Sequence, residues 1–226
     1  IGYSTGLVTI GSDSEDTSLP SGNWTVRNNL FTSPKAGAGF LLLTHGLLRG
    51  HDVSITHNTI LNPGTLAVST GVTDGQFVLK DNIMGNGEYG VNCFVNPANL
   101  QSCFPGLQMT GNVIVGPPMT YRPYCTNLGS VVYPTGNNCV SDASKIGFVD
   151  LANDYRLAAN SPFKGKASDG TDPGVDMDAL LAAQGGSTPT ESTAVKAVTI
   201  TSPSDGQTVT GTITASAETS PNFQPS

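Results

Sequence analysis

One eight-residue phrase, written five times, constrains this chain more than anything else in it. It reads Trp24-Thr25-Val26-Arg27-Asn28-Asn29-Leu30-Phe31 and recurs at 53–60, 77–84 and 107–114, with a worn copy at 133–140. In the clear copies apolar residues return at the first, third and eighth places. Asn stands at the sixth place: Asn29, Asn58, Asn82, Asn112 and Asn138, at steps of 24–30 residues. A repeat of that length signals stacked units, each burying its apolar face against the next.

Each copy opens with period-2 alternation, which predicts a short half-buried strand rather than a helix. Further strands are expected between the copies, at 4–10, 39–43, 65–70 and 90–94. Parallel strands joined by crossovers wind right-handed. The expected fold is therefore all-β: a right-handed parallel β-helix, or solenoid, whose turns vary in length. Asn at the sixth place has two physical reasons to be there. It tolerates left-handed backbone at a bend, and its amide can bond to the same amide one coil away, about 4.8 Å distant. The five Asn are expected to form an internal ladder at the strand-ending turn.

With 27 Gly and 15 Pro in 226 residues, the chain suits one turn-rich main domain. A formal net charge of −7 argues against nucleic-acid and acidic-lipid partners and works weakly against a polyanion. No apolar run is long enough for a membrane span. Ile1 enters the pattern in progress, which leads us to expect a trimmed chain preceded by further coils. The four cysteines, Cys93, Cys103, Cys125 and Cys139, lack zinc-ligand spacing. Their even number suits two disulfides and an oxidising compartment, with extracellular or cell-surface placement expected. Three pairings are open; 93 with 103 and 125 with 139 are favoured because each closes a local loop.

The coils and a cap over their open end are expected to occupy 1–184. In the cap, residues 146–150 and 154–157 read as closing strands and 176–183 as a short helix. A Ser/Thr/Gly/Pro linker follows at 185–194. The tail, 195–226, has two alternating runs, 195–203 and 208–215. Two such strands cannot stand alone in water.

Three stretches carry a family resemblance: Asp52-Val53-Ser54-Ile55-Thr56-His57-Asn58-Thr59, residues 149–162 with Asp154-Tyr155-Arg156-Leu157, and Asp169-Gly170-Thr171-Asp172-Pro173-Gly174-Val175-Asp176. Over roughly 20–184 the chain resembles secreted bacterial right-handed parallel β-helix proteins of the pectate-lyase-like superfamily. The tail resembles the first two strands of a bacterial immunoglobulin-like module. The first resemblance implies polysaccharide lyases, glycoside hydrolases and non-enzymes alike, so it constrains function loosely. No catalytic motif of a single lyase or hydrolase family is matched.

Stacking the copies predicts neighbours. Place four holds Arg27, Thr56, Lys80 and Thr110; place five holds Asn28, His57, Asp81 and Gly111. His57 is then expected beside Asp81, and Arg27 two strands from Lys80. Arg27, His57, Lys80 and Asp81 are the candidate catalytic residues, since a uronate lyase needs a cation for the carboxylate and a base for the C5 proton. A solvated outer face is the plainer account of the same residues. His45, His51 and His57 are too spread along the chain for one metal ion, and no metal site is expected from them. Asp52, Asp74 and Asp81 offer loose carboxylate pairs for a hydrolase. Two acidic clusters, 13–16 and Asp169, Asp172, Asp176 and Asp178, could hold calcium, although capping explains the second more simply. Two functions follow as expectations: a secreted protein that binds or cleaves extracellular polysaccharide, or a non-catalytic stalk or filament subunit joined to neighbouring copies of itself through its tail.

Overall fold

The structure is a computed structural model that describes residues 6–10, 22–31, 39–43, 51–61, 65–69, 74–87, 89–93, 96, 99–117, 124–125, 133–185, 198–202 and 216–219. Its regular elements are nearly all strands, with one α-helix. The alternating repeats fold as three parallel sheets, visited in rotation by successive strands. The first holds β1 (Gly6–Ile10), β4 (Gly39–Leu43), β7 (Thr65–Ser69) and β10 (Val91–Cys93). The second holds β2 (Gly22–Arg27), β5 (His51–Thr56), β8 (Asp74–Lys80) and β11 (Gly106–Thr110). The third holds β3 (Leu30–Phe31), β6 (Thr59–Ile60), β9 (Ile83–Gly85), β12 (Val113–Val115) and β13 (Asn138–Val140).

The repeated phrase thus spans two sheets. Places one to four end a strand of the second sheet, and places seven and eight form a short strand of the third. Register follows the sequence alignment, with Val26 opposite Ile55 and Ile55 opposite Leu79. The inward residues Val53, Ile55, Phe77, Leu79 and Met109 pack with the eighth-place Ile60, Met84 and Ile114 in one apolar core. Phe77 stacks on Phe104 with centroids 4.5 Å apart.

The Asn ladder runs through Asn29, Asn58, Asn82, Asn112 and Asn137. Asn58 Oδ1 accepts from the Asn29 N–H at 3.0 Å, Asn82 Oδ1 from that of Asn58 at 2.9 Å, and Asn112 Oδ1 from that of Asn82 at 3.0 Å. Asn137 Oδ1 takes the fifth place, accepting from the Asn112 N–H at 3.2 Å. Asn138, expected in the ladder, instead pairs with Val113 in β13 and is exposed. The worn copy is displaced by one residue because Gly136, with φ of 91°, occupies the bend. The left-handed bend also lies at place five, not at the Asn of place six: Asn28, His57, Asp81 and Gly111 have φ of 56, 52, 58 and 69°.

Cys93–Cys103 and Cys125–Cys139 are disulfide-bonded, with Cα atoms 5.5 and 5.7 Å apart. The stretch expected as a cap, 146–184, holds two strands and a helix. Beyond η-type turn 143–145, the antiparallel pair β14 (Phe148–Asp150) and β15 (Asp154–Leu157) leads into a segment that runs back along the flank of the third sheet. The seventh-place residues of that sheet point away from the core, so they need cover. Ile83 and Val113 pack against Ile146, Leu157 and Phe163 in a second apolar cluster. The segment ends in α1 (Met177–Ala183), capped by Asp176 Oδ1, which accepts from the Asp178 and Ala179 N–H groups at 3.0 Å.

By internal contacts the chain divides into residues 1–180 and 181–226. The second unit contains an antiparallel pair, β16 (Val198–Ser202) and β17 (Ser216–Thr219). The partner of β16 is therefore 216–219, and the run expected as a strand at 208–215 lies outside the described residues, as do most of the linker and the acidic cluster at 13–16. Among the described residues no helix is long and apolar enough to cross a membrane.

Candidate functional site

The corner between the second and third sheets is where backbone geometry collects polar side chains. The left-handed places of adjacent repeats stack, so His57 and Asp81 become neighbours, His57 Nε2 lying 3.8 Å from Asp81 Oδ2. The flanking segment crosses this corner and binds it repeat by repeat. Ser168 donates its N–H to Asp81 Oδ1 and its hydroxyl to Oδ2, the latter at 2.8 Å. The Gly174 N–H reaches the Asp81 carbonyl at 2.8 Å. The Val175 N–H donates to Thr59 Oγ1 at 3.1 Å, and the Asp176 N–H to Asn28 Oδ1 at 2.7 Å. Gly174 has φ of 89° and sits where a Cβ would strike Thr59 Oγ1 and Ile83, so the segment's close approach depends on it.

A cleft of about 640 Å³ opens between the segment and the corner. Arg27, Asn28 and His57 line one side; Tyr155, Arg156, Lys164, Asp169, Asp172 and Asp176 are among those on the other. Of the four candidate catalytic residues, Arg27 and His57 line it. Asp81 is 4% exposed and accepts from Ser168 at both carboxylate oxygens, which makes it an anchor for the segment. Lys80 is not among the lining residues; its Nζ donates to Gln108 Oε1 on the next strand at 2.7 Å. Arg27 and Lys80 stand two strands apart through Thr56, in the register expected.

No family model, curated protein or solved structure matches the chain. The chemistry of the site therefore has to be read from its own geometry.

His57 Nε2 lies 3.1 Å from Asp169 Oδ2. Asp169 is held by Thr171, whose hydroxyl and N–H donate to Oδ1 at 2.6 and 3.0 Å. The Thr171 hydroxyl first, then its N–H and the charge of His57, keep this carboxyl below its ordinary range. The acidic cluster expected to cap or to hold calcium does not converge. Asp172 pairs with Lys164 at 2.6 Å, Asp178 with Arg156 at 2.6 Å, and Asp176 caps α1. Asp178, then Asp154, raise the proton affinity of Arg156. Arg27 alone among the basic lining residues has no hydrogen-bond or ion-pair partner for its guanidinium among the described residues.

Both expected hydrolase pairs include Asp74, whose side chain lies outside the described residues. Asp52 accepts from the Gln76 N–H at 3.0 Å and sits 2.9 Å from His51 Nδ1. Asp81 accepts from Ser168. Of the three histidines, His51 Nδ1 lies 2.9 Å from Asp52 Oδ2, and His45 lies outside the described residues. Sequence reasoning missed Asp169 and Ser168 as partners of the corner, since they lie 112 and 87 residues beyond His57 and Asp81. The one available signal is the Pro173-Gly174 turn, where a missing side chain lets two segments touch.

Proposed function

We propose that this chain is a secreted right-handed parallel β-helix of the pectate-lyase-like kind whose cleft binds an extracellular polysaccharide. Three parallel sheets visited in rotation support the β-helix reading, since parallel crossovers are overwhelmingly right-handed. Two disulfides support export to an oxidising compartment. The cleft carries the binding reading. Its volume falls in the range of about 300–1,000 Å³ typical of small-ligand sites. Its paired acids and bases offer donors and acceptors to hydroxyl-rich rings, and Tyr155 offers an aromatic body. The deciding observation is Arg27: a guanidinium unpaired among the described residues, placed to clasp two hydroxyls or a uronate carboxylate as a fork.

The test is a panel of neutral glycans and polyuronates, read for binding by calorimetry and for cleavage by reducing ends and unsaturated products. Binding that weakens at least about tenfold in Arg27→Ala, the loss of one charged hydrogen-bonding group, supports the reading. Cleavage abolished by His57→Ala would place chemistry at the corner. Silence from folded protein across the panel would sink it and favour a second reading, assembly with neighbouring copies through the tail. That reading is favoured by the β16–β17 pair, because a two-stranded ribbon is marginal alone. Sedimentation of the full chain would reveal the oligomers it requires.

A further inference from the structure

We infer that His57, Asp81 and Asp169 form a binding site for one divalent cation of the zinc class, which fastens the flanking segment to the repeats. One nitrogen and one oxygen from each carboxylate lie within 4.8 Å of one another. Around an ion with ligands at about 2.0–2.2 Å, donor atoms stand roughly 3–4 Å apart. His57 Nε2 is 3.1 Å from Asp169 Oδ2 and 3.8 Å from Asp81 Oδ2, both inside that window. The 3.8 Å separation is too long for a hydrogen bond. His57 and Asp169 are thus within hydrogen-bonding reach while Asp81 stands off, with all three ligand atoms within 4.8 Å of one another.

The far side of each carboxylate is already held. The Ser168 N–H takes Asp81 Oδ1, while its hydroxyl uses one lone pair of Oδ2 and leaves that oxygen a second. Thr171 grips Asp169 Oδ1 twice, turning Oδ2 to the imidazole. Outer donors of this kind orient ligands at metal sites. Charge points the same way. An imidazolium cancels one of the two carboxylates, whereas a dication balances both, and Asp81 is buried where an uncompensated charge is costly. One imidazole with two carboxylates suits zinc, cobalt or nickel; calcium and magnesium favour all-oxygen shells.

Two ligands come from neighbouring repeats and the third from a residue 112 positions after His57. The ion would thus act as a clasp across the corner. The site shares His57 and Asp169 with the cleft lining, but the inference does not rest on the glycan reading, since the mutual placement of the three side chains alone carries it. It does reassign His57: a nitrogen that binds an ion has no lone pair for a proton.

The experiment uses the full chain, stripped with chelator and titrated with Zn²⁺ by calorimetry, with Co²⁺ absorption reporting the coordination geometry. One equivalent of Zn²⁺ is expected to bind, raising the melting temperature by roughly 5–10 °C at a hundredfold excess over Kd. Asp169→Asn keeps the shape of an exposed side chain and is expected to weaken binding at least about tenfold. His57→Ala should do the same, and His51→Ala should leave binding unchanged. Absence of stoichiometric binding by the folded chain would overturn the inference. So would undiminished binding in Asp169→Asn, which remains the test if His57→Ala fails to fold. Glycan binding measured with and without chelator separates this outcome from failure of the glycan reading.

Discussion

Replacing Asn82 by Ala should be among the most damaging single changes in this chain, and the structure allows its size to be worked out. The side chain is fully buried. Its Nδ2 donates to the carbonyls of Ile55 and Lys80 at 2.9 and 2.8 Å and to Asn112 Oδ1 at 3.0 Å. Its Oδ1 accepts from the N–H and Nδ2 of Asn58 at 2.9 and 3.0 Å. Ala removes all five contacts. The Asn58 N–H loses its acceptor in a buried place, which costs about 1–3 kcal/mol, and the remaining bonds contribute about 1 kcal/mol each before neighbours readjust. These terms sum to roughly 5–7 kcal/mol, and readjustment of the neighbours brings the expected loss to roughly 3–5 kcal/mol, a large part of the about 5–15 kcal/mol by which domains are stable. Asn137→Ala removes the terminal member, half-buried, and should cost about 1–3 kcal/mol through the orphaned Asn112 N–H. Asn138→Ala leaves the backbone pairing with Val113 intact and should stay within about 0.5 kcal/mol. Urea unfolding of the three variants, read as shifts of the midpoint at constant slope, decides the matter. An Asn138→Ala as damaging as Asn137→Ala, or an Asn82→Ala below about 1 kcal/mol, would refute the ladder as described.

Gly111→Ala should release the flanking segment. At φ of 69° a Cβ meets Asp81 Oδ1 and comes within 2.9 Å of the Ser168 nitrogen. A loss of about 2–4 kcal/mol is expected from strain and the broken anchor, with faster hydrogen exchange at Ser168, Gly174 and Val175; unchanged exchange there would count against the anchoring role of Asp81. The Asp169 carboxyl, held below its ordinary value of 3.8 by Thr171 and then His57, should contribute stability in full above that value and lose it as pH falls through its lower folded value. In chelator, the melting-temperature gap between wild type and Asp169→Asn should hold above about pH 5 and narrow progressively as pH falls below 3.8. A gap that does not narrow at all on acidification below 3.8 would show that the ionised carboxylate is not what stabilises the contact.

Strand alternation and the Asn row were enough to anticipate strands stacked in parallel, because both signals are local and repeat. The third sheet was not legible: β3 and β6 have two residues each, too short for alternation to register. The fifth ladder member was misplaced by one because Asn137 and Asn138 are adjacent, and only Gly136 at the bend separates them. Stacking the copies brought His57 to Asp81. It could not bring Asp169 or Ser168 there, nor show that the seventh-place Ile83 and Val113 face away from the core and need cover. Those contacts join residues 87 and 112 positions apart with no repeat to align them.

The left-handed corner has a consequence for what this architecture can evolve. Backbone at φ near +55° admits glycine freely, and among other residues mainly Asn, Asp and His. The corner filled by Asn28, His57, Asp81 and Gly111 is therefore a conformational sieve that passes amides, carboxylates and imidazoles while turning away the branched aliphatics. Adding a repeat adds one more choice from that short alphabet, set about 4.8 Å from the last. Groups able to bind ions or move protons accumulate in a line there for reasons of backbone sterics, before any selection for a ligand has acted.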